Sequence, residues 1–118
     1  MRILVFGGRD FKDYKSLKRA LYEALGDNGI YEYSQVVIIS GLARGADTLA
    51  KMFAKEFGCK YLGFPADWDK YKKAAGFIRN QQMIDEGNPD IAVGCPGSTG
   101  TADMKRRVLK AGVPLYEL

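Results

Sequence analysis

Three glycine-rich segments carry most of this chain's capacity for chemistry. They read Gly7-Gly8-Arg9-Asp10, Ser40-Gly41-Leu42-Ala43-Arg44-Gly45 and Gly94-Cys95-Pro96-Gly97-Ser98-Thr99-Gly100-Thr101. Glycine lets successive backbone N–H groups turn toward an anion with no Cβ in the way. A helix that starts there adds its unpaired N–H groups and the positive end of its dipole. In the third segment Ser98, Thr99 and Thr101 add hydroxyl donors, which makes Pro96–Thr101 the best candidate phosphate cradle. A tight strand-to-helix turn would need the same glycines. Arg9 and Arg44 each adjoin a glycine. Either could grip a phosphate or carboxylate with two parallel bonds, or sit in a surface ion pair.

Four further features could serve such a site. Asp47 falls in the first turn of the helix after the second glycine segment, where it caps that helix or meets a ribose hydroxyl. The polar pair Arg79-Asn80 interrupts an apolar pattern, so it faces either a site or solvent. Trp68, Tyr71 and Phe77 flank Asp69-Lys70-Tyr71-Lys72-Lys73, an aromatic and basic cluster that could stack on a base or plug the space under a loop. Lys105-Arg106-Arg107 with Lys110 reads as a solvated helix face.

Other chemistries find no residues. The chain has no histidine, which removes His-dependent triads and most zinc sites. No glycine-lysine-Ser/Thr triplet occurs, and the dinucleotide fingerprint GxGxxG is missing after the first strand. No metal and no cofactor are expected. Cys59 and Cys95 read as reduced thiols rather than a disulfide. The net charge of +4 suits an anionic partner or simple solubility.

The elements that must position these segments follow from hydropathy. Ile3–Phe6, Val36–Ile39, Tyr61–Phe64, Ile91–Val93 and Leu115–Tyr116 are short apolar runs, as strands buried on both faces read. Between them lie four helical patterns. Tyr14, Leu17, Leu21, Ala24 and Leu25 share one face, started by an Asp13 cap and ended by Gly26. Ala46, Leu49, Ala50, Phe53, Ala54 and Phe57 form a second stripe, stopped by Gly58. A weaker pattern spans Ala74–Glu86, after a loop at Ala66–Lys73 with at most one helical turn. The fourth places Met104, Val108 and Ala111 inward and closes at Gly112. This alternation predicts an α/β fold: a Rossmann-like three-layer sandwich with a five-stranded parallel sheet, order 3-2-1-4-5, and helices on both faces. The 118 residues form one domain, 1–118. No apolar run approaches the ~20 residues of a bilayer span, and the start does not read as a signal peptide. A cytoplasmic protein without membrane contact is expected. In such a sheet all strand-to-helix loops leave one edge, and ligands bind there at the switch point.

Together the segments Gly7–Phe11, Ser40–Asp47, Ala66–Trp68, Ala75-Gly76 through Arg79-Asn80, and Gly100–Asp103 resemble the short YspA-related branch of the SLOG superfamily, found in phages and bacteria. The resemblance covers essentially the whole chain. Ser40–Asp47 and the pair Arg79-Asn80 are also similar to the DNA-processing family DprA (Smf), whose members bind single-stranded DNA. Pro96–Thr101 resembles the PGGxGTxxE motif of the LOG phosphoribohydrolases, in which an arginine shortly before a methionine works with the motif's glutamate. Arg79 and Met83 match the former, but the glutamate position holds Met104 and the second glycine is Ser98.

The resemblance implies binding or sensing of a nucleotide or nucleotide-sugar ligand of the ADP-ribose type. The expected contacts are Gly7, Gly8, Arg9, Ser40, Gly41, Arg44, Gly45, Asp47, Trp68, Arg79, Asn80 and Pro96 through Thr101. Two alternatives stay open. One is hydrolysis of an N-glycosidic bond, with Arg79 and Asp103 as catalytic candidates; the other is single-stranded nucleic-acid binding. Relatives of this kind also imply a homodimer.

Overall fold

The computed structural model describes residues 1–118. Its elements are β1 (Arg2–Phe6), α1 (Tyr14–Asp27), β2 (Val37–Ser40), α2 (Ala46–Phe57), β3 (Lys60–Gly63), the single turn α3 (Trp68–Tyr71), a 3₁₀ turn at Lys72–Ala74, α4 (Ala75–Asp85), β4 (Ile91–Gly94), α5 (Thr99–Lys110) and β5 (Leu115–Glu117). The five strands form one sheet in the order β3-β2-β1-β4-β5. Every neighbouring pair is parallel, so the fold is the Rossmann-like arrangement the alternating pattern predicts.

Alternation along β1 builds two cores. Ile3 and Val5 pack with Leu17, Leu21 and Leu25 of α1 and with Ala50 and Phe53 of α2. Leu4 and Phe6 point the other way, onto Met83 of α4 and Met104 and Val108 of α5. Helices therefore cover both faces. Phe53 is fully buried, and its ring lies 6.1 Å from Tyr22, 6.2 Å from Tyr33 and 4.6 Å from Phe57. Truncating such a residue costs about 3–5 kcal/mol.

Two local expectations are corrected. Gly26 does not end α1, which runs on to Asp27. The Asn28 side chain donates to the Ala24 carbonyl at 2.7 Å, and Gly29 takes the left-handed conformation at φ 72. Ala111 is exposed rather than inward. The chain turns at Gly112, φ 73, and Val113 packs on the second core instead. The Asp13 cap is present, its carboxylate accepting from the Ser16 N–H at 3.1 Å. Gly58 stops α2 in the left-handed region.

Candidate functional site

The strand order sets the loops after β1 and β4 side by side, with the loop after β2 on the other flank of β1. The Gly8 N–H donates to the Pro96 carbonyl at 2.9 Å, and the Gly8 carbonyl accepts from Ala46 at 3.2 Å. A Cβ on Gly8 would stand 2.9 Å from the Gly97 Cα and from the Pro96 oxygen. Gly45 is at φ 77, and a Cβ there would stand 2.3 Å from the Gly8 oxygen. These two glycines therefore serve the close approach of three backbones. The Gly8 N–H is already engaged, so this glycine forms the floor rather than a donor.

Above that floor lies a cleft of about 750 Å³. One wall is the start of α5. Ser98 caps that helix without a side-chain bond, and the N–H groups of Gly97 through Thr101 donate to no carbonyl. They form a row of free donors at the positive end of a three-turn helix. The lining carries Arg9, Lys12, Arg44, Lys73 and Arg79 against the carboxylates Asp10, Asp13 and Asp47. Cations outnumber anions, which favours an anionic occupant. The Arg9 guanidinium lies 5.8 Å from the Trp68 ring centroid. Arg44 pairs only with Asp10, at 3.5 Å, and both side chains are largely exposed, so this pair holds Arg44 weakly.

Arg79 stands at the centre. Its Nη1 donates to the carbonyls of Gly41 and, at 3.4 Å, Phe64. Its Nε donates to Asn80 Oδ1 at 3.3 Å. Burial draws the guanidinium pKa down, the nearby Asp47 carboxylate opposes this, and Arg9 adds to the fall. Asp47 is itself buried, and desolvation raises its carboxyl despite the N–H groups of Ala43 and Gly41 and the charge of Arg79. The Ala43 N–H reaches Asp47 Oδ2 at 3.1 Å, so Asp47 caps its own loop from a position that also lines the cleft.

Asn80 is buried and committed at both ends of its amide. Its Nδ2 donates to Asp103 Oδ2 at 3.1 Å and to the Gly100 carbonyl at 3.4 Å. Asp103 also receives Arg106 at 2.9 Å and Arg107 at 2.7 Å. Burial alone would raise the Asp103 carboxyl, but the bonds from Arg107 and Asn80 and the charges of both arginines hold it below the usual carboxylate range. Met104, by contrast, is buried and borders the cleft.

Most expected contact residues thus come together around one cleft: Gly7, Gly8, Arg9, Arg44, Asp47, Trp68, Arg79, Asn80 and Pro96 through Thr101. Three do not line it. Ser40 is buried and bonded to Tyr61, Gly45 is the backbone crossing point, and Gly41 borders a smaller adjoining lobe. Asp103 is likewise absent from the cleft wall. Lys12, Lys73 and Met83 also line the cleft; Lys73 carries a signal as part of the basic aromatic cluster and Met83 as the methionine that follows Arg79, whereas nothing in the sequence marks Lys12. Cys95 is buried beside the floor, and desolvation with the Asp47 charge pushes its thiol up to about 12, so it stays protonated and inert. No helix is long and apolar enough to cross a membrane.

A parallel sheet with its glycine loops gathered around one polar cleft at the switch point defines a Rossmann-like domain of the SLOG type. The chain belongs to the YspA, cpYpsA-related SLOG family, whose model matches residues 1–71. It is 33% identical over 123 aligned positions to the Gene 61 protein of Mycobacterium phage D29, covering 97% of this chain and 93% of that one. Among solved structures it is similar to the X-ray structure of TM1055, with a TM-score of 0.67 and 18% identity over 97% of this chain and 71% of that chain. A Listeria monocytogenes structure, provisionally described as a UDP-N-acetylglucosamine 2-epimerase, has a TM-score of 0.52 and 18% identity over 99% of this chain but 30% of that one. At these identities the likeness is one of fold.

Proposed function

We propose that the protein binds a nucleotide or nucleotide-sugar ligand of the ADP-ribose type, holding its phosphate on Gly97–Thr101 with Arg79 and Arg44 beside it. The observation that carries this reading is the row of free N–H groups at the start of α5, facing a cleft rich in cations. Such a row attracts a tetrahedral anion without any side-chain charge. Arg79 keeps its Nη2 free of protein acceptors while its other nitrogens are anchored, which supports a preset donor rather than a mobile surface charge. The cleft volume lies in the range of roughly 300–1,000 Å³ common to small-molecule sites.

Calorimetric titration with a nucleoside monophosphate tests the reading. Arg79→Ala should weaken binding by about tenfold or more, as for loss of a charged hydrogen-bond donor. Equal affinity for the corresponding unphosphorylated nucleoside would sink it.

Ligand binding without turnover fits the residues better than hydrolysis. Met104 occupies the position where a glutamate would act, and its neighbour Asp103 is held by three partners away from the cleft; of the carboxylates that do line the cleft, Asp13 caps α1, Asp10 pairs with Arg44 and Asp47 accepts from the Ala43 N–H. A homodimer is part of the same reading: Met52 on α2 and Phe77 and Ile78 on α4 remain exposed. A monomer mass by light scattering at micromolar concentration would count against it.

A further inference from the structure

The cleft has a second, smaller lobe of about 350 Å³ on the far side of Arg79, between the loops after β2 and β3. It shares Arg9, Ala43, Arg44, Trp68 and Arg79 with the main cleft, so one ligand can occupy both. Its remaining walls are Gly41, Leu42, Pro65 and Ala66. Leu42 adopts φ 60, a left-handed conformation that disfavours a side chain of this bulk. That geometry carries the leucine over Gly63, where a Cβ would stand 2.7 Å from it. Leu42 nonetheless remains 47% exposed and Trp68 48% exposed. A half-open leucine and a half-open indole lining one concavity suit an inserted flat ring.

The polar groups of the lobe are one-sided. Its polar side chains are three arginines and one indole, all donors with no acceptor capacity. The carbonyls that might receive a donor are partly used: Gly41 accepts from Arg79, and Ala43 accepts from the Thr48 hydroxyl at 3.2 Å. Arg9 has no carboxylate partner and lines the lobe, 5.8 Å from the Trp68 ring centroid, and Arg44 is held only by its exposed contact with Asp10. The side chains that a ring meets here are all donors, so the edge it turns to them must offer acceptors. Guanine and hypoxanthine offer a carbonyl and a ring nitrogen on one edge, the pair that a guanidinium matches with two bonds. Adenine offers an amino donor on that edge and is matched by an Asn or Gln side chain, and none lines the lobe.

We propose that this lobe is a base subsite for a 6-oxopurine, with the ring packed between Trp68 and Leu42 and read by Arg9. The inference rests on the phosphate assignment to Gly97–Thr101 and adds the identity of the base. Trp68 is the single tryptophan of the chain, so its fluorescence reports the lobe directly.

The test titrates the full chain with GMP, IMP, AMP and ribose 5-phosphate, following heat and tryptophan fluorescence. GMP and IMP should bind at least ~10-fold more tightly than AMP, the discrimination of one good bidentate base contact. Both should quench Trp68, whereas ribose 5-phosphate should bind without quenching. Trp68→Ala should bring GMP down to the affinity of ribose 5-phosphate and leave the latter unchanged. Leu42→Gly, which relieves the backbone, should weaken GMP in the same selective way. AMP binding as tightly as GMP, or Trp68→Ala weakening both ligands alike, overturns the base subsite while the phosphate site stands. Failure of all four ligands to bind overturns both.

Discussion

The backbone N–H of Gly8 donates to the carbonyl oxygen of Pro96 across 2.9 Å, tying the loop after β1 to the loop after β4 at the centre of the sheet edge. The two loops follow strands paired in parallel register, Phe6 beside Gly94. The candidate phosphate cradle therefore rests on a backbone-to-backbone contact that tolerates no side chain.

Gly8→Ala is expected to destabilise the fold by about 1–3 kcal/mol, because the added methyl meets backbone atoms that cannot rotate away. Thermal unfolding should register this as a fall of roughly 5–15 °C. Gly100→Ala is the contrast, since a Cβ there meets nothing within 4 Å. It should stay within about 0.5 kcal/mol of the parent or exceed it. Equal effects at the two positions would show that loop contact does not explain Gly8.

The glycine segments were legible because their composition is local, the strands because buried parallel strands read as short apolar runs, and their order because it sets the glycine loops after β1 and β4 side by side at the switch point. What those glycines do was not. Gly8 approaches Gly97, and Gly45 approaches Gly8, across distances in sequence that no local pattern records. Asn80 shows the same limit. Its polarity marks it as a site residue, yet its amide is spent on Arg79, Gly100 and Asp103, so it positions other groups. Gly26 misled for a different reason: the Asn28 side chain and Gly29 together end the helix, and either glycine would have satisfied the sequence rule.

Asp47 and Asp103 should respond to pH with opposite signs. Asp103 has a folded pKa held below its unfolded value of about 3.9, so its contribution is present above that value and lost as pH falls through the folded pKa. Asp103→Asn should cost about 1–3 kcal/mol near pH 7 and converge with the parent in acid. Asp47 has a raised folded pKa, so its contribution is complete below the unfolded pKa and lost as pH rises through the folded one. Asp47→Asn should be as stable as the parent or more stable near neutrality, and lose that advantage toward about pH 4. Urea unfolding across that range checks both, and parallel curves for the two variants would refute the assignment.

Base release from nucleoside monophosphates should be negligible. Hydrolysis of a glycosidic bond needs a carboxyl group at the reacting centre; the Met104 thioether supplies none, and the carboxylates that line the cleft are engaged elsewhere, Asp47 by the Ala43 N–H, Asp13 by Ser16 and Asp10 by Arg44. Chromatography of long incubations measures this. Turnover of about 1 s⁻¹ or faster, abolished by Asp103→Asn, would make Asp103 the missing acid and reverse the reading.

The most direct test is an amide NMR titration of the labelled protein with a nucleoside monophosphate, with the matching nucleoside as control. The expected result is that the N–H resonances of Gly97, Ser98, Thr99, Gly100 and Thr101 move most with the phosphorylated ligand and stay in place with the nucleoside. Shifts confined to other loops, or identical shifts with both ligands, would contradict a phosphate held at the start of α5.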